Sequence, residues 1–156
     1  GLIGALAVMA WFLVIDVFRG QLMFTPAALG SAIIFGARGV AEVQITPATV
    51  FGYTLLHLAA FLAVGFLASA LAIAAEKEPH VLLGVGLLFV TFEVLLIGLL
   101  AIAASWLLDA LNWWAILAAN LIAAAVMGAY LWHEHPKLRE GLDHNVEEEM
   151  FLESEV

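Results

Sequence analysis

The chain has 156 residues, of which 65% are hydrophobic and 12% charged, with a mean hydropathy of +1.07. Such a composition excludes a soluble domain of this size, which needs more polar surface, and predicts an all-α integral membrane protein. The net charge of -9 sits mostly in residues 133–156, five Lys and Arg in all argue against a nucleic-acid partner, and the absence of cysteine excludes disulfides and thiolate chemistry.

Residues 1–19 read as a first span, closed by Asp16, Arg19 and Gly20. The run opens at Gly1 without a Met, as expected where a native N-terminus is processed or lies further upstream. A cleaved signal peptide fits poorly, because further spans follow. Asp16 and Arg19 share a helix face and are expected to form an interfacial ion pair.

The next stretch is broken by Gly30, Gly36, Arg38 and Gly39, too often for a span. Within it Thr25-Pro26-Ala27 reads as an N-cap followed by proline at the first helical position. That predicts a short interfacial or re-entrant helix over about 26–36. The same tripeptide recurs at Thr46-Pro47-Ala48 and opens a second span, over 47–75.

Tyr53, Thr54 and His57 fall on one face of that span. A polar turn at Glu76-Lys77-Glu78-Pro79-His80 leads into a third span, over 80–108, with one carboxylate, Glu93, near its middle. An ionisable group at that depth costs on the order of 3 kcal/mol unless neutralised or paired. The fourth span, over 113–132, opens on the aromatic pair Trp113-Trp114, carries Asn120, and closes on Tyr130 and Trp132, residues that favour the membrane interface. Residues 133–156 form an acidic tail with a weak amphipathic pattern.

The expected architecture is four transmembrane helices in an up-down antiparallel bundle, with both ends on one side of the bilayer. A small excess of Lys and Arg on the tail side points to cytoplasmic termini and to a bacterial inner membrane.

Glu93, His57, Asn120, Tyr53 and Thr54 form the expected buried polar cluster. As a satisfied structural network it would suit a non-catalytic accessory or scaffold subunit of a larger membrane complex. Used for titration, Glu93 and His57 would suit a small proton-linked channel or transporter. A third use is ligation of a haem or pigment by His57 alone, since no second histidine lies at its depth. His133 and His135 are candidate metal ligands at the tail-side surface, though their spacing matches no closed zinc pattern. No cofactor is required, and no phosphate loop, nucleophile elbow or His-Glu-x-x-His motif suggests an enzyme. Small-residue ridges at Gly65/Ala68/Ala72, Gly98/Ala101/Ser105 and Ala124/Gly128 offer surfaces to other membrane subunits. The acidic tail offers charge to a basic soluble partner.

Overall fold

A computed structural model describes residues 1–76 and 81–134, except for the side chains at positions 82, 83, 85, 86, 88, 92, 93, 96, 99 and 103. Among the described residues all regular structure is helical: α1 (Leu2–Phe18), α2 (Phe24–Phe35), a single 3-10 turn (Val40–Glu42), α3 (Pro47–Ala75), α4 (Val81–Ala103), α5 (Ser105–Leu111) and α6 (Trp113–Glu134). Two of these, α3 and α6, are long and apolar enough to cross a membrane. At ~1.5 Å per residue they measure ~43 and ~33 Å, against a hydrocarbon core of ~30 Å.

Helix α1 stops where Gly20 turns left-handed, at φ 68°. The Gln21 N–H then reaches the Asp16 carbonyl at 2.9 Å and the Gly20 N–H the Val17 carbonyl at 3.0 Å. That pair of bonds is the Schellman closure, which glycine permits because it lacks a Cβ. Helix α3 starts as its sequence predicts. Thr46 lies outside the helix, its hydroxyl accepts from the Thr49 N–H, the Thr49 hydroxyl accepts from the Thr46 N–H, and Pro47 takes the first turn.

The twin motif at Thr25 behaves differently. Helix α2 begins two residues earlier than the motif predicts, after a left-handed Met23 at φ 64°, and Thr25 lies inside its first turn. Nor does α2 simply lie on the surface: Thr25, Ala27, Ala28, Gly30 and Ser31 are all buried, and its main neighbour is the first part of α3.

The long apolar run over 80–108 is two helices rather than one rod. Ala104 leaves helical geometry (φ -153°, ψ 56°) and caps the start of α5. No glycine or proline marks the break. Its cause is tertiary: Leu107 and Leu111 are 1% exposed, packed with Phe12, Ala28, Ala115 and Ile116 in the main apolar core. Burying those two leucines outweighs the local helix preference of the run. Asn112, at φ 62°, then redirects the chain into α6.

Helix α1 is the hub. It packs most extensively on α6 and also touches α3 and α2. It is antiparallel to α3, since Gly1 abuts Phe61 and Gly65 while Ala5 lies at His57. Against α6 it is antiparallel too, with Gly4 at Met127 and Trp11 at Ala115.

Candidate functional site

Two polar sites lie inside the helix body. The first is on the face of α3 turned to α1, where Tyr53, His57 and Phe61 recur every fourth residue and so stack along one stripe. The ring centroids of Tyr53 and His57 are 5.6 Å apart, and those of His57 and Phe61 4.7 Å apart. His57 is buried, with Nε2 3.3 Å from the Ala5 carbonyl and Nδ1 3.4 Å from the Tyr53 hydroxyl. A carbonyl only accepts, so Nε2 carries the hydrogen. In the neutral ring Nδ1 is then the acceptor, and Tyr53 donates to it. Both imidazole nitrogens are thereby used within the chain, which leaves no free nitrogen for a haem iron or pigment metal while this arrangement holds.

Thr54 does not join the stripe. The Thr54 hydroxyl donates back to the Val50 carbonyl of its own helix at 2.7 Å rather than into the stripe. Asn120 sits half-buried on α6. The Glu93 side chain lies outside the described residues. Of the predicted group, the structure brings His57 and Tyr53 into direct contact.

The second site was not anticipated. Asp16, at the end of α1, is 0% exposed. Its carboxylate accepts two hydrogen bonds from one residue: the Thr25 N–H at 2.8 Å and the Thr25 hydroxyl at 2.7 Å. Both carboxyl oxygens are thereby engaged, at the N-terminal end of α2. Asp16 thus caps α2 from outside, supplying what the Thr25 side chain was expected to supply. Arg19, its expected ion partner, extends the other way and donates through Nη1 to the Ala110 carbonyl of α5 at 3.0 Å. The two side chains take separate partners because the turn at Gly20 brings Thr25 to the carboxylate and leaves Arg19 at the rim. A faint signal existed in the sequence: an acid nine residues before a threonine that opens a helix, across a glycine turn.

Around the start of α3 a third set of polar groups closes on itself. The Thr49 hydroxyl donates to the Gln44 carbonyl at 2.6 Å, and the Gln44 N–H donates to the Ser31 hydroxyl oxygen at 3.2 Å. Ser31, Gln44 and Thr49 line an open concavity of about 590 Å³ together with Phe35, Glu42 and Thr46. Glu42 is engaged by the Arg38 backbone N–H at 2.9 Å. With a carboxylate on one wall and the positive end of α3 on another, the concavity favours neither cations nor anions.

At the far end of α6, His133 and Glu134 are exposed, while His135 and the acidic tail lie outside the described residues. Among the described residues no group of three or more His, Asp or Glu is placed to hold a metal ion. Of the small-residue ridges, Gly65 and Ala72 are spent inside the chain, against Gly1 and against Val81 with Leu131. Ala101, Ser105 and Gly128 are exposed, and Ala68, Gly98 and Ala124 are half-buried. No protein-family model matches the chain, and neither a curated protein nor a solved structure is significantly similar to it.

Proposed function

We propose that the chain is a non-catalytic accessory subunit of a larger membrane assembly. It crosses the bilayer with four apolar segments in up-down order, α1, α3, α4 with α5, and α6, and α2 re-enters from one side. One observation carries this reading. The described interior polar groups are consumed by partners in their own chain, as Asp16 is by Thr25, His57 by Ala5 and Tyr53, and the Trp11 indole by the Ala115 carbonyl at 3.0 Å. Satisfied groups of this kind hold helices in register and offer no site for turnover.

Two further features support the assignment. Phe51, Leu55 and Phe66 of α3 are 67%, 68% and 81% exposed, as suits a face turned to lipid or to apolar neighbours. The exposed small residues of α6 leave a flat surface on which another transmembrane helix can approach closely.

The test is mild extraction from native membranes, with size analysis and identification of whatever co-purifies. Stoichiometric membrane partners establish the reading, and a particle containing this chain alone overturns it. Glu93 provides the second arm. In an accessory subunit Glu93→Gln keeps assembly near normal, while Glu93→Leu weakens it. Loss of proton flux in Glu93→Gln with assembly intact would instead identify a transporter.

A further inference from the structure

The end of the helix body where α1 stops and α3 and α6 start carries large apolar side chains on its outside. Phe18, Leu22, Phe35, Val40 and Ile45 are 53–88% exposed there. Phe18 ends α1, Phe35 ends α2, and the other three sit in the links before α2 and α3. Trp113 and Trp114 stand exposed at the start of α6. Apolar side chains exposed as a group mark a surface that something covers.

Their placement says what covers them. Phe18 and Leu22 flank the Asp16–Thr25 junction, and Phe35, Val40 and Ile45 belong to the stretch around the Ser31–Gln44 bond at the start of α3. The tryptophans open α6 just beyond the Arg19–Ala110 contact. The apolar groups are therefore shared among the α1, α3 and α6 corners of the body rather than gathered on one side. A protein partner covers one side, whereas a bilayer surrounds every side. The exposed charges at this end are balanced among the described residues, Arg19 and Arg38 against Glu42 and Asp109. That mixture, with tryptophan beside it, suits a layer of zwitterionic headgroups.

The depth is fixed from two directions. Exposed phenylalanine and leucine oppose a place in water. Residues 36–46 are irregular apart from one 3-10 turn, and irregular backbone open to lipid does not occur in the hydrocarbon core. The headgroup layer lies between the two. Helix α3, with 29 residues and so ~43 Å, matches the ~40–45 Å of a bilayer with its headgroups, which puts its start at Pro47 in that layer.

We propose that this end of the chain is a lipid-binding collar seated in the headgroup layer of one leaflet, with zwitterionic phospholipid as its neighbour. The collar rests on the membrane placement proposed above and goes beyond it, since the links between helices then face lipid rather than water or another subunit.

Thiol labelling tests the collar. The chain has no cysteine, so Phe18→Cys, Leu22→Cys and Ile45→Cys each place a single thiol on it, at exposed positions that leave the core intact. Phe66→Cys, on the exposed face of α3, reports the membrane-crossing body. Each variant is reconstituted in phosphatidylcholine nanodiscs and treated with a membrane-impermeant maleimide. The thiolate is the reacting form, and a thiol held away from water ionises less. One pKa unit is about tenfold in thiolate. The three collar thiols are therefore expected to react about tenfold or more slowly than free cysteine in the same buffer, as Phe66→Cys does. Collar thiols that react as fast as free cysteine while Phe66→Cys stays slow overturn the collar and leave an aqueous face open to a protein partner. Fast reaction at Phe66→Cys as well overturns the membrane placement itself.

Discussion

Gly30 gives the sharpest test of the packing described for α2. A Cβ built there collides with the Thr49 carbonyl oxygen and lies 2.8 Å from its carbon and 3.1 Å from the Thr49 Cα. All three are backbone atoms of α3, so no side chain can swing aside, and α2 must slide away from α3 to admit a single methyl group. Overpacking of this kind costs about 1–3 kcal/mol, roughly a 5- to 150-fold change in the folded population. Gly128 of α6 is the matched control, since a Cβ there meets nothing within 4 Å. In water Ala would gain about 1 kcal/mol over Gly in a helix. In micelles the reference state stays largely helical, so the gain shrinks towards zero. Gly30→Ala is thus expected to lose about 1–3 kcal/mol and Gly128→Ala to stay level or rise slightly. Unfolding by increasing SDS fraction in mixed micelles, followed by far-UV circular dichroism and by fluorescence of the five tryptophans, measures both. Equal midpoints for the two variants would refute the close approach of α2 to α3.

Other expectations follow from the same contacts. Thr46→Ala removes one half of a capping box and should lower stability by about 1 kcal/mol, whereas Thr46→Ser should restore it; the same SDS titration reads both. Tyr53→Phe deletes only a long bond to His57 within α3 and is expected to cost about 0.6 kcal/mol or less, no more than a hydrogen bond between membrane helices. His57→Leu leaves the Ala5 carbonyl with its ordinary helical role and should also retain the fold. A collapse of the midpoint in either variant would show that the stripe matters more than its geometry implies. Trp11→Phe loses the indole bond to Ala115 across the α1–α6 contact, with an expected loss of about 1 kcal/mol and, in fluorescence, of one half-buried emitter.

Much of the helix plan was legible because its signals are local. The capping box at Thr46-Pro47, the glycine stop after α1 and the aromatic start of α6 depend on a few adjacent residues, and the structure follows them. His57 and Tyr53 meet because a spacing of four residues on one helix brings their side chains together. The departures all involve residues far apart or a competition between partners. Thr25 had the same motif as Thr46, yet an external carboxylate took over its capping role. Asp16 and Arg19 were one turn apart and available to each other, but the Gly20 turn brought a better donor to Asp16 than a solvated guanidinium. The break at Ala104 has no breaker residue, since it is imposed by leucines that find a core on α1, α2 and α6.

The junction of α1 with α6 carries a consequence for biogenesis. Trp11 and the carbonyl that accepts its indole N–H are 104 residues apart in sequence. At a synthesis rate of about 5–20 residues per second, the first helix must wait roughly 5–20 seconds for its main partner to leave the ribosome. Through that interval it has Asp16 already sheltered, because Thr25 arrives almost at once, but its long seam for α6 stays uncovered. The early hairpin of α1 with α2 acts as a local holding structure, and α6, emerging much later, completes the described body by docking on α1.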